Sequence, residues 1–264
     1  MNNKILDFNM NIRKFYDLSI KQEFSEQQTN SFGVPKATAK PFQIDNFVGD
    51  TNQGGSCNFD EIKIIPHCNG THTECIGHIL NSRDSIVDLL DDVFVQALLI
   101  SCYSVSAEEN TDKYIPYITS DDLLITKSEL EKNIKDYDLV GKALIIRTIP
   151  NPDSKQIRDY NQSPSPFFTN DAMQYIFDKG VKHLLVDLPS IDKAYDDGML
   201  SNHRIFWDVE LGVKEKKYSK EHHKTITEFI YVNDEIHDGE YLLNLQIAPF
   251  DLDASPSRPI IFEI

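Results

Sequence analysis

Apolar and polar positions along the chain fall into runs that predict a mixed order of strands and helices. Between 61 and 66 the run EIKIIP alternates, the pattern of a half-buried strand. Residues 93–105 (VFVQALLISCYSV) are almost continuously apolar and predict a buried strand. That stretch contains Gln96 and is too short to span a bilayer. KALIIRT (142–148) and VKHLLVD (181–187) predict two more strands. Between them, TNDAMQYIFDKG (169–180) predicts a helix, with Thr169 or Asn170 at its N-cap and Gly180 beyond its end. SDDLLITKSELEKNIKDY (120–137) opens on a cap-like Ser-Asp-Asp and continues at helical spacing. NSRDSIVDLLDD (81–92) predicts a turn or short helix. The tail returns to strands in TITEFIYVN, EYLLNLQIAPF and RPIIFEI, separated by Asn, Asp and Gly turns. Helix, glycine, strand is an α/β unit. Residues 1–30 are polar and weakly periodic and predict an N-terminal arm that wraps the surface or reaches a partner subunit. Residues 31–264 then form one α/β domain. The Pro/Ser/Asn-rich stretch 151–167 predicts a linker or lid.

Composition narrows the function classes. The chain has 264 residues, 42 acidic and 26 basic side chains and a formal net charge of −16. Phosphate binding needs a Lys/Arg footprint that this balance lacks, so no nucleic acid is expected and no anionic membrane surface either. The first residues, MNNKILDFNMNIRKFYDLS, interrupt their apolar positions with Asn, Asp and Arg and show no signal-peptide core. Four cysteines in a chain this long make no disulfide framework. A reduced, cytoplasmic protein acting on a small molecule is the expectation.

Three of the eight histidines fall within HCNGTHTECIGH, residues 67–78. On an extended strand, His72 and Glu74 share a face. Imidazole and carboxylate together suit Zn²⁺, with Mn²⁺ as the alternative. By the same parity Cys68 joins that face and His67 does not, whereas a bulge at Asn69-Gly70 reverses the two.

GTHTECIGH (70–78) resembles the GTHxDxPxH signature of the cyclase family of metal-dependent hydrolases, whose best-known bacterial member is kynurenine formamidase. Four further segments match that family's pattern in the same order: GVKHLLVDLPSID (180–192), LSNHRIFW (200–207), ITEFIYVND (226–234) and APFDLDASPSRPI (248–260). The resemblance implies a swivelling β/β/α fold, a mixed sheet flanked by helices, in a homodimer or homotetramer. It implies metal ligation by His72, Glu74, His203 and Glu228, with one or two ions, and a general acid/base role for His78. Glu74 stands where the family has Asp. The family's first ligand histidine falls on Cys68, with His67 immediately before it, so either residue is a candidate. The family's Pro is replaced in Ile76-Gly77.

The activity so implied is cleavage of a small amide or formamide by metal-activated water, with N-formylkynurenine, an intermediate of tryptophan catabolism, as reference substrate. The alternatives are a cyclic amide such as isatin, or a non-catalytic relative that only binds a small molecule. Other polar residues have plainer readings. His222 and His223 lie in a charged stretch and read as solvated. Asp84, Asp91 and Asp92 read as a solvated face. Cys75, Phe206 and Trp207 read as core, and Ser190 as structural, because no base for it is evident. Buried between apolar neighbours, Glu228 needs a partner, which a metal supplies.

Overall fold

The runs that are apolar throughout become the centre of a nine-stranded sheet. The computed structural model describes residues 14–163, 165–215 and 223–264. In chain order the sheet strands are β1 (Phe15–Asp17), β2 (His72–Glu74), β3 (Phe94–Tyr103), β4 (Ala143–Ile149), β5 (His183–Val186), β6 (Thr225–Glu228), β7 (Gly239–Asn244), β8 (Ala254–Pro256) and β9 (Ile260–Glu263). Across the sheet they run β1-β9-β7-β3-β4-β5-β6-β2-β8. The central four, β3 to β6, are parallel. Both flanks are antiparallel.

Parallel strands are buried on both faces, which is why β3, β4 and β5 lack polar alternation. Leu98, Ile100, Leu144, Ile146, Leu184 and Val186 face the helices. Those are α1 (Pro66–Asn69), α2 (Ile86–Leu89), α3 (Lys127–Ile134), α4 (Asn170–Asp178) and α5 (Ser201–Phe206). Of these, α3, α4 and α5 bring Leu130, Ile134, Met173, Ile176 and Phe206 to that layer. Leu99, Ile145 and Leu185 face the other way. There Leu18, Ile230, Val232 and Ile236 cover the curled sheet without a helix. Phe206 and Trp207 are core, as expected, and so is Cys75. Thr169 caps α4 by accepting from the Ala172 amide at 3.1 Å, and Gly180 takes φ +72° beyond it. The cap contributes about 1 kcal/mol.

Several segments differ from their sequence pattern. The Ser-Asp-Asp at 120–122 does not start the helix. Asp122 accepts from the Thr119 amide and from Lys193, Leu123–Ile125 forms a strand of a small sheet, and Thr126 caps α3. The alternating run near 61 yields Asp60–Lys63, paired only with Thr38–Pro41 and exposed throughout. TITEFIYVN is a strand only to Glu228, because Phe229 turns out of it at φ 55°. Of the stretch read as an arm, residues 1–13 lie outside the described residues, Phe15–Asp17 pairs with β9 and Leu18 is fully buried. Asp91 and Asp92 are not merely solvated. Both pair with Lys182, and Asp92 also meets buried His183 at 3.2 Å. His222 lies outside the described residues, and His223 is exposed.

The loop after β4 is fastened rather than free. Lys155 Nζ donates to Thr148 Oγ1 at 2.8 Å and to Asp187 Oδ2 at 2.7 Å, with both charged groups buried. Burial lowers the Lys155 pKa and raises that of Asp187, each partly offset by the other. Lys155→Met should therefore strand Asp187 and cost about 3–5 kcal/mol in urea unfolding. A loss under about 1 kcal/mol would mean the pair is not what holds this loop.

Candidate metal centre

The proposed ligands converge where β2 runs antiparallel to β6. Register places His72 opposite Glu228 and Glu74 opposite Ile226. Alternation along β2 sends His72 and Glu74 to one face and Thr73 to the other, where its hydroxyl meets Thr227 Oγ1 at 2.8 Å. His72 is fully buried. Its Nδ1 donates to the Gly70 carbonyl at 3.0 Å, which leaves the Nε2 lone pair bare. That atom has no hydrogen-bond partner and lies 3.6 Å from Glu228 Oε2. The second Glu228 oxygen is held by the Ile191 amide at 2.9 Å.

His203 comes from α5. Its Nδ1 meets Asp192 Oδ2 at 2.6 Å, and its Nε2 lies 2.9 Å from Glu74 Oε1 and 3.8 Å from Glu228 Oε1. Asp192 also accepts from the Asn202 amide at the start of α5 (2.8 Å) and from the Tyr114 hydroxyl (2.9 Å). One carboxylate thus fixes both the helix and the imidazole, the arrangement that orients ligating histidines.

The motif is extended only at its centre. Residues 66–69 form α1, extended backbone resumes after Gly70, and a further turn covers Ile76–His78. A Cβ on Gly77 would lie 2.1 Å from the Asp84 carbonyl oxygen, so this tight turn requires glycine. The helical turn brings His67 to the site, with its Nε2 3.5 Å from Glu74 Oε2. Cys68 lines the adjoining cavity, but burial first, then Glu228 and Glu74, push its thiol up to about 11. The Ile76–His78 turn folds His78 back over the site. Its Nδ1 lies 3.8 Å from Glu74 Oε2 and its ring stacks on His67 at 4.5 Å.

Every sequence-predicted site residue is therefore in one cluster. Among the described residues two groups could each hold an ion: His67, Glu74 and His78, and His72, Glu74 and Glu228, with potential ligand atoms within 4.8 Å of one another in each group. The residues fit a cation on their own chemistry, because the buried Nε2 of His72 has no hydrogen-bond partner and faces a carboxylate, while His67 Nε2 lies among two more. Burial lowers the His72 pKa to about 3, so its imidazole is neutral. Burial also opposes a charge on Glu74, yet His78 and His203 outweigh it and hold that carboxyl low. Burial and then the Glu74 charge push Glu228 up. Two carboxylates in one dry cluster repel, and a cation relieves that repulsion.

Asp192 and Asp253 escaped the sequence reading. Asp192 closes the quoted segment 180–192, so a signal for it was present. Asp253, just before β8, faces His67 and His78 across β2 and lies within the family-matching segment 248–260, which likewise did not single it out. Ser190 accepts from the Asp192 amide at 3.1 Å and also lines the cavity beside the cluster. Beside the cluster is a cavity of about 290 Å³, whose apolar walls include Phe32 and Leu200.

Comparison with known proteins supplies the wider setting. The family model described as Putative cyclase matches residues 16–193. A kynurenine formamidase of Bacillus thuringiensis (strain Al Hakam) is 28% identical over 211 residues, covering 79% of this chain and 82% of that protein. The kynurenine formamidase of Bacillus cytotoxicus is 26% identical with the same coverage. Among solved structures, an isatin hydrolase bound to the product analogue thioisatinate matches with a TM-score of 0.64 at 15% identity, covering 95% of this chain and 92% of that one. A potential metal-dependent hydrolase with cyclase activity matches with a TM-score of 0.60 at 16% identity, covering 95% and 99%. These two likenesses show the fold. No helix among the described residues is long and apolar enough to cross a membrane.

Proposed function

The chain belongs to the cyclase family and is a metal-dependent hydrolase, and on that basis we propose that it cleaves a small aryl formamide, with N-formylkynurenine as the reference substrate. The observation that carries the reading is the bare, buried Nε2 of His72 set among Glu74, Glu228 and His203. Imidazole and carboxylate donors favour zinc, held by His72, Glu74, His203 and Glu228 with His67 beside them. When bound, such an ion acidifies water and polarises a carbonyl.

The chain's own residues supply the rest. Asp192 fixes the His203 ring so that Nε2 points inward. Phe32 and Leu200 offer an apolar wall to an aryl ring, which orients the amide toward the donors. His78, part-exposed at the rim, moves the proton from the attacking water to the leaving nitrogen. Imidazole suits that task near neutral pH. The formamidase relatives, at 26–28% identity, support a formamide over a cyclic amide. The same reading takes the enzyme as a cytoplasmic homodimer or homotetramer, and N-formylkynurenine would place it in tryptophan catabolism.

Formate release from N-formylkynurenine, run in parallel with isatin opening, tests this. Turnover of the formamide at the higher kcat/KM supports the proposal. Fast isatin opening without formate release would move it to a cyclic amide. Metal-loaded protein that acts on neither would overturn both.

A further inference from the structure

The last segment of the chain brings a carboxylate to the centre that none of the ligand positions includes. Asp253 precedes β8, which pairs with β2 so that Ala254 lies opposite Glu74. The Cys75 amide donates to the Asp253 carbonyl at 3.0 Å, which fixes the backbone there. Its Oδ2 lies 3.1 Å from His67 Nε2 and 3.5 Å from His78 Nδ1. Glu74 Oε2 faces the same two nitrogens at 3.5 and 3.8 Å.

His67 Nε2 thus meets carboxylate oxygens from two different strands, close to both but not well aligned for a hydrogen bond with either. Positive charge among these atoms satisfies both carboxylates, and a cation bound there would supply it. The spacing also suits one. Zinc donors lie at about 2.0–2.2 Å, so neighbours in a tetrahedral shell are about 3.3–3.6 Å apart. The 3.5 Å from His67 to Glu74 falls in that range and the 3.1 Å to Asp253 lies just below it.

The chain also needs such a donor. Where the family pattern has its first ligand histidine, this chain has Cys68, which lines the adjoining cavity. His67 reaches the site from the same helical turn but enters from a different angle, beside Asp253.

Resting on the metal-dependent reading above, we propose that Asp253 is a metal ligand of this chain, acting with His67 and Glu74 in place of the histidine missing at position 68. The Asp253–His67 pair then sets the affinity of the side of the centre nearest β8. Arg83 touches the other Asp253 oxygen at 3.8 Å from an exposed position and serves only as a surface partner.

The test is zinc titration of chelator-stripped protein against a chromogenic competitor, for wild type, Asp253→Asn, Asp253→Glu and Arg83→Ala. Asp253→Asn keeps the shape and should weaken zinc binding, or lower its stoichiometry, by roughly tenfold or more. Arg83→Ala should bind as wild type. Melting of the zinc-free proteins checks the fold. If Asp253→Asn does not fold, Asp253→Glu, which keeps the charge but moves the oxygen, is read instead and should also bind more weakly. Wild-type affinity and stoichiometry in a folded Asp253 variant would overturn the assignment while leaving the metal-dependent reading intact. A wild-type protein that takes up no zinc would overturn that reading, and the assignment with it.

Discussion

Replacing His72 with alanine is expected to remove bound metal and hydrolysis together. The ring is wholly buried, its Nδ1 is committed to the Gly70 carbonyl, and its Nε2 has no other partner. Nothing nearby can substitute for it from the same strand position. A metal supplies several kcal/mol of charge stabilisation, so turnover should fall by about 10³-fold or more. Elemental analysis and a hydrolysis assay on the same preparation check this. Full metal content in His72→Ala would remove it from the ligand set.

His78→Ala should separate binding from chemistry. The ring sits at the rim, stacked on His67, with about a quarter of its side chain exposed (27%). It is placed to exchange a proton with substrate and with solvent. The variant is expected to keep its fold and metal yet lose turnover by roughly 10²–10⁴-fold, the usual range for general acid/base catalysis. Loss of metal from His78→Ala would make it a ligand, since it also lies within reach of Glu74. Unchanged turnover would make it a bystander.

The two variants probe residues that the sequence identified, and the contrast with what it missed is physical. His72 and Glu74 were legible because strand alternation puts both on one face by counting, whereas Glu228, opposite His72 in the register, came from the family resemblance. Between Cys68 and His67, counting failed. The chain between Ile65 and Gly70 closes a helical turn, with the Cys68 and Asn69 amides both donating to the Ile65 carbonyl. Asn69 secures that turn from its side chain, accepting from the Ile65 amide and donating to Asn30. That stabilisation comes partly from a residue 39 positions away, which local periodicity does not register.

Asp253 was hidden for a similar reason, since its place beside Glu74 depends on a strand pairing between residues 180 or more positions apart. The central strands were legible because double burial leaves a continuous apolar run. Their antiparallel flanks were legible in type but not in length, as at Phe229, where a positive φ ends β6 one residue after the proposed ligand. At 120–126 the acidic Ser-Asp-Asp mimicked a helix cap. Asp122 instead serves a turn and Lys193, and tertiary pairing of Leu123–Ile125 took precedence over local propensity.

The central claim is that buried imidazoles and carboxylates from five separate segments exist to hold a catalytic cation. The most direct measurement is the metal content of protein purified without chelator, with hydrolysis followed as the metal is stripped and restored. The expected result is at least about one equivalent of zinc or a similar divalent metal per chain, lost on chelation together with activity and recovered with it on readdition. Well under one equivalent in protein whose hydrolysis is indifferent to chelator would contradict it.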